Sequence, residues 1–140
     1  MGFVLDTSAL IELERAIESG HPEKLPWDDE IVLPAVVWAE ALIGVRMANS
    51  TVRASRRRAQ LEAIRLQTGI EPFTATTAEH YADIYAELSA QGALIPQNDI
   101  AVAAVARGLQ FGILVGPEDE AHFRRVEDVP IKVITRPQQR

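Results

Sequence analysis

Short apolar runs alternate with longer amphipathic segments along most of this chain. The runs are bounded by polar or turn residues, which is typical of strands buried in a sheet. The longer segments repeat apolar residues at helical spacing, which predicts helices with one buried face. Strands are predicted at 3–5, 31–33, 70–73, 111–115 and 131–134. Because strands and helices alternate, the pattern predicts an α/β fold around a mainly parallel sheet.

The length and composition indicate one globular domain. The chain has 140 residues, which is long enough for a substantial core. We predict that the domain occupies residues 1–135 and that 136–140 is a loose tail. No apolar run is long enough to span a bilayer, and the first residues do not resemble a signal peptide. Cysteine is absent, which excludes disulfides and thiolate metal sites and fits a cytoplasmic protein.

The net charge of −6 restricts how the chain could bind nucleic acid. Proteins that do so with their whole surface are normally basic, so this chain would need a local basic patch or metal ions at an acidic site. The predicted helix after Ser50 offers such a patch, with Arg53, Arg56 and Arg57. The charge run alone favours a solvated helix face, and a phosphate-contacting surface stays open as the alternative.

Three carboxylates stand alone in apolar stretches: Asp6, Glu40 and Asp99. Each has a structural interpretation. Asp6 follows the first strand and could cap the next helix, and Glu40 could extend to solvent from its helix. Asp99 is expected in a first helical turn, with Asn98 as the cap, where the helix dipole favours a negative charge. Each pattern alone is therefore ambiguous, and the recurrence favours a shared site.

A fourth acidic point follows the predicted strand 111–115 and contains Glu118 and Asp119. Acids at the carboxyl ends of neighbouring strands can converge at one edge of a sheet. Several adjacent carboxylates cannot all stay ionised without a cation, and ligation by oxygen alone suits Mg²⁺ or Mn²⁺. Such ions activate water and bind phosphates. The spacing thus makes a metal-dependent phosphodiesterase plausible.

Four segments in chain order resemble a PIN-domain ribonuclease, and more narrowly a VapC-type toxin of a type II toxin–antitoxin system. They are VLDTSAL, WAE, NDIAVAA and LVGPEDEAHFRRV. The resemblance covers essentially the whole chain. It implies a PIN-like three-layer α/β/α sandwich and a Mg²⁺- or Mn²⁺-dependent endoribonuclease that acts on RNA, often tRNA. It also implies inhibition by a small cognate antitoxin and, usually, a homodimer.

By position, the resemblance implies that Asp6, Glu40 and Asp99 are catalytic acids, with Asp6 and Asp99 as metal ligands. Thr7 or Ser8 is expected to contact a metal ligand without binding the ion itself.

The fourth acid stays open. Many family members have Thr-Arg after the strand where this chain has Gly116 and Pro117. Glu118 falls at the equivalent place of the family's fourth acid, but the adjacent Asp119 could serve. His122 is expected either to contact a metal ligand without binding the ion or to lie at the surface, rather than to be a ligand itself.

Two other functions stay open. A phosphoaspartyl phosphotransferase would also place an Asp after the first strand, but its second acid two residues on is replaced here by Ser8. A catalytically inactive PIN-like binding module is the other alternative, and the retained set of acids argues against it. A nuclease assay with and without EDTA separates these possibilities.

Overall fold

The structure is a computed structural model that describes residues 2–20 and 29–134. The predicted tail 136–140 and both predicted domain boundaries lie outside these residues. The described elements, in chain order, are β1 (Phe3–Leu5), α1 (Thr7–Glu18), β2 (Ile31–Pro34), α2 (Ala35–Arg46), α3 (Thr51–Thr68), β3 (Ile70–Glu71), α4 (Ala75–Ala90), α5 (Gln97–Leu109), β4 (Gly112–Val115), α6 (Glu120–Phe123) and β5 (Ile131–Val133). The predicted alternation of strands and helices is confirmed.

The five described strands form one sheet in the order β3-β2-β1-β4-β5, and every pairing is parallel. The strand β1 lies at the centre, with Phe3 opposite Ile31 of β2 and Leu5 opposite Leu114 of β4. After β1, the chain adds β2 and β3 on one side of it. The later strands β4 and β5 are added on the other side, so the strand order reverses at β1. Ligand sites of open α/β sheets form where the strand order reverses, which here is the carboxyl end of β1 beside β4.

Helices pack over the sheet and complete the predicted α/β/α arrangement. Helix α1 contacts α2 and α3, while α4 packs along α5. The three-residue strand β1 is short because Asp6 ends it and caps α1. None of the described helices is both long and apolar enough to cross a membrane.

Helix α5 carries a candidate acid into the centre of the molecule. Its residues Ile100 to Ala106 are all buried, and the four alanines among them let the helix lie close to β1 and β4. Asp99 lies in the first turn, as predicted, but Asn98 is not the cap. The helix begins earlier, at Gln97, and the carbonyl of Pro96 accepts from the amide of Ile100 at 3.1 Å.

Candidate functional site

Asp6 is a buried carboxylate at the junction of β1 and α1, with 1% of its surface exposed. Its Oδ1 atom accepts a hydrogen bond from the amide of Ala9 at 2.8 Å, so Asp6 does cap α1. Burial raises the pKa of Asp6 from 3.8 to about 7, although the bonds from Ala9 and Ser8 oppose this and the charge of Asp119 adds to it. The cap and the site interpretations are therefore compatible.

Ser8 joins Asp6 to the end of β4. Its Oγ atom lies 3.0 and 2.9 Å from the two carboxylate oxygens of Asp6. The same Oγ accepts from the amide of Gly116 at 2.8 Å, which directs the hydroxyl proton towards Asp6. A Cβ atom on Gly116 would lie 2.9 Å from the carbonyl oxygen of Ser8. The glycine that departs from the family pattern thus permits this close approach.

A second group of polar side chains surrounds Asp99. The Nδ1 atom of His122 lies 2.8 Å from Oδ2 of Asp99 and 3.7 Å from Oδ1 of Asp119. Candidate ligand atoms of these residues all lie within 4.8 Å of one another. Burial raises the pKa of Asp99, the His122 bond opposes this, and the charges of Asp119 and Glu40 raise it further.

Asp119 connects the two groups, because its charge acts on both Asp6 and Asp99. Glu40 is half-buried on α2 and acts on Asp99. Four separate parts of the chain therefore bring acids together: the end of β1, α2, the start of α5 and the segment after β4.

Of the two adjacent acids after β4, the structure brings Asp119 to this group. Glu118 is exposed, whereas Asp119 is half-buried and its charge raises the pKa of both Asp6 and Asp99. Thr7 is half-buried, and within the described residues Ser8 rather than Thr7 hydrogen bonds to the carboxylate of Asp6.

His122 forms a hydrogen bond with Asp99, which favours the first of the two places expected for it, beside a proposed ligand rather than at the surface. A signal was present, because His122 follows Asp119 by three residues, the spacing that places side chains one helical turn apart. That turn is α6, which has only four residues. So short a helix has a weak sequence signal, and the contact with Asp99 crosses 23 positions.

The predicted arginine patch divides into two kinds of residue. Arg57 is paired with the largely buried Glu14 of α1, with Nε 3.0 Å from Oε1. A side chain at Gly44 of α2 would collide with the Arg57 guanidinium, so this arginine fills the space between three helices. Arg53 and Arg56 are exposed and line a cleft of about 490 Å³ between α1 and α3.

Asp6, Glu40, Asp99 and Asp119, together called the acidic group, fit a hard divalent cation. Its donors are carboxylate oxygens, which Mg²⁺ and Mn²⁺ prefer. Asp6 is almost completely buried, and the neighbouring charge that acts on its pKa is that of another acid, Asp119. Among the described residues no cationic side chain forms an ion pair with Asp6. A bound cation would supply the missing positive charge.

Comparison with known proteins agrees with this architecture. The PIN domain family model matches residues 3–129. Ribonuclease VapC1 of Rickettsia felis is 26% identical over 137 residues, which covers 96% of this chain and 98% of that protein. A chain in the crystal structure of VapBC2 from Rickettsia felis bound to a DNA fragment from their promoter has a TM-score of 0.80 and 20% identity, covering 96% of this chain and 99% of that chain.

A further similar structure is VapBC-5 from Mycobacterium tuberculosis, a member of the VapBC family of toxin-antitoxin systems. It has a TM-score of 0.71 and 25% identity, and the match covers 96% of this chain and 98% of that chain. These findings confirm the PIN-like fold and the resemblance to PIN-domain, VapC-type proteins. Since the family model spans nearly all of the described sheet and the segments that carry the acids, the chain belongs to the PIN domain family.

Proposed function

We propose that this chain is a metal-dependent endoribonuclease and the toxin of a type II toxin–antitoxin system. The observation that carries the proposal is the convergence of Asp6, Glu40, Asp99 and Asp119 beside a buried strand end. The similarity to a protein named Ribonuclease VapC1 supports the activity. The similarity to chains of VapBC structures supports an inhibitory antitoxin as partner.

The cofactor in this proposal is Mg²⁺ or Mn²⁺, and Asp6 and Asp99 are its ligands. Such an ion stabilises negative charge on a phosphate and lowers the pKa of water. Asp119, rather than Glu118, is the proposed fourth acid, because its charge acts on both ligands.

Side chains of the protein would divide the remaining work. Ser8 holds the Asp6 carboxylate in place through its hydrogen bonds at 3.0 and 2.9 Å. Glu40 is near Asp99 but outside the tight cluster of Asp99, Asp119 and His122. A carboxylate there can orient an attacking water molecule and accept its proton, which is the role we assign to Glu40.

RNA is the proposed substrate, with tRNA as the first candidate. Arg53 and Arg56 are the proposed phosphate contacts, because their side chains are exposed. Arg57 would contribute indirectly, since its ion pair with Glu14 holds α3 against α1. A cognate antitoxin and a second copy of the chain are the proposed protein partners, and the cytoplasm is the proposed location.

The test is RNA cleavage by the purified chain with Mg²⁺, with Mn²⁺ and with EDTA. We expect cleavage with either ion, none with EDTA, and recovery when Mn²⁺ is added back. Asp99→Asn should lose at least about 100-fold in rate, because an ion supplies several kcal/mol of transition-state stabilisation. Asp83→Asn is the matched control, since Asp83 is an exposed acid on α4. This variant should cleave RNA at the wild-type rate.

Two results would contradict the proposal. Cleavage that persists in EDTA would exclude the metal-dependent reaction. Metal binding without cleavage of any RNA tested would favour an inactive binding module.

A further inference from the structure

The hydrogen bond between His122 and Asp99 links two elements that carry the acidic group. The distance from Nδ1 to Oδ2 of Asp99 is 2.8 Å, which is a normal hydrogen bond. The distance from the same nitrogen to Oδ1 of Asp119 is 3.7 Å, which is too long for one. Asp99 is therefore the partner of this nitrogen.

The position of His122 is set by the core rather than by solvent. The next residue, Phe123, is fully buried, and Val126 is 5% exposed. The backbone amides of His122 and Phe123 both point to the carbonyl of Asp119, at 3.1 and 3.4 Å. The buried Phe123 thus fixes the backbone of α6, which contacts α5, and the half-buried side chain of His122 reaches Asp99 from there.

We propose that His122 is a positioning residue that donates its Nδ1 proton to Oδ2 of Asp99 and leaves the other oxygen of Asp99 to bind the metal ion. This inference rests on the proposed function, since it assumes that Asp99 is a ligand. A carboxylate held by one oxygen loses less rotational freedom when the ion binds. Partners that orient metal ligands in this way are typically worth 10- to 100-fold in metal affinity.

Direct ligation of the ion by His122 is the competing arrangement. Ligation through Nδ1, the nitrogen that faces Asp99, would require that atom without a proton, and the imidazole would give up its 2.8 Å bond to Asp99. The short bond to Asp99 favours the positioning role. Asparagine tests the hydrogen bond, because its amide nitrogen is attached to Cγ as Nδ1 is and can donate a similar bond. Direct ligation is tested separately, by whether a nitrogen is bound to the ion in the wild-type complex.

The experiment measures binding of Mn²⁺ alone to the full chain by isothermal titration calorimetry. His122→Ala should weaken the affinity by about 10- to 100-fold, and His122→Asn should restore most of it. His80→Ala is the matched control, because His80 is a half-buried histidine on α4 that lies beside Gly108, and it should bind as wild type does. Pulsed electron paramagnetic resonance of the wild-type complex should show no directly bound nitrogen.

Thermal melting in EDTA shows whether the variants fold. If alanine lowers the melting temperature, the asparagine variant and the resonance spectrum decide. Wild-type affinity in His122→Ala would overturn the inference. A directly bound nitrogen in the wild-type spectrum would also overturn it, because that result would make His122 a ligand. Equal weakening in His122→Ala and His122→Asn would overturn it as well, because the donated hydrogen bond would then not account for the affinity.

Asp99→Asn separates failure of the inference from failure of the proposed function. If Asp99→Asn binds Mn²⁺ as well as wild type does, the proposed metal centre is wrong and the inference is wrong with it. If Asp99→Asn loses binding while His122→Ala retains it, only the role of His122 is overturned.

Discussion

Two buried acids, Glu14 on α1 and Asp6 at the end of β1, receive different partners. Glu14, with a side chain 10% exposed, is paired with the guanidinium of Arg57 at 3.0 Å. Asp6 receives hydroxyl and amide hydrogen bonds and, within residues 2–20 and 29–134, no ion pair, and the charge that acts on it is that of Asp119. The chain thus supplies a cation to one acid, and at the other it gathers further acids. In the proposed function, this difference makes Glu14 a structural acid and Asp6 part of a site that takes an external cation.

The largest expected effect concerns the pH dependence of stability without metal. The folded state raises the pKa of Asp6 from 3.8 to about 7. The folded state therefore holds a proton that the unfolded chain has lost, so this group should reduce stability as pH rises from about 4 to about 7. The slope is about 1.4 kcal/mol per pH unit for one proton, and the loss should level off above the folded pKa.

The measurement is the free energy of unfolding in EDTA across this pH range, compared with Asp6→Asn. Asparagine can still cap α1 but does not titrate, so the difference between the two proteins isolates Asp6. If the two free energies of unfolding differ by a constant amount from pH 4 to pH 7, the folded state does not raise the pKa of Asp6, and the contrast with Glu14 fails.

A smaller effect is expected at the structural pair. Arg57→Ala should destabilise the protein by about 1–3 kcal/mol, because it leaves the carboxylate of Glu14 largely buried without its cation. Arg53→Ala on the same helix is the control and should change stability by less than about 0.5 kcal/mol. Chemical denaturation measures both. If the double variant Glu14→Gln/Arg57→Ala is no more stable than Arg57→Ala, the pair is not what holds α1 to α3.

The smallest effect is expected on the salt dependence of RNA binding. Arg53→Ala combined with Arg56→Ala should weaken binding and reduce the salt slope by about 0.7 for each lost phosphate contact on single-stranded RNA. Single-turnover cleavage at saturating RNA should change little, because neither residue belongs to the acidic group. Binding measured at several salt concentrations checks this. An unchanged slope would show that neither residue contacts a phosphate and that both belong to a solvated helix face, the interpretation that the charge run alone favours.

The sequence predicted the sheet and the lone acids because these depend on local patterns. Apolar runs marked the described strands to within a few residues, and the bounds of α1 follow from Asp6 as cap and Ser19 after the last turn. Asp6, Glu40 and Asp99 were recognisable because each interrupts an apolar stretch. The parallel sheet and the packing of α5 then bring these acids to one place.

The remaining features depend on contacts that the sequence does not show. Whether Glu118 or Asp119 faces the site depends on the backbone direction in the turn before α6, and adjacent residues of a turn point different ways. The pairing of Arg57 with Glu14 crosses 43 positions, so a run of arginines could not reveal it. The contact of His122 with Asp99 has the same long-range origin.

The most direct test of the external-cation account is thermal melting of wild type and Asp99→Asn in EDTA and in saturating Mg²⁺. In EDTA the variant should be at least as stable, because burial and neighbouring acids already disfavour a charged Asp99, and the lost dipole interaction is worth only about 0.3–1 kcal/mol. Mg²⁺ at a hundredfold excess over Kd should stabilise wild type by about 2.7 kcal/mol, and the variant should lose most of this gain. A variant that melts well below wild type in EDTA, or that gains as much from Mg²⁺, would contradict the account.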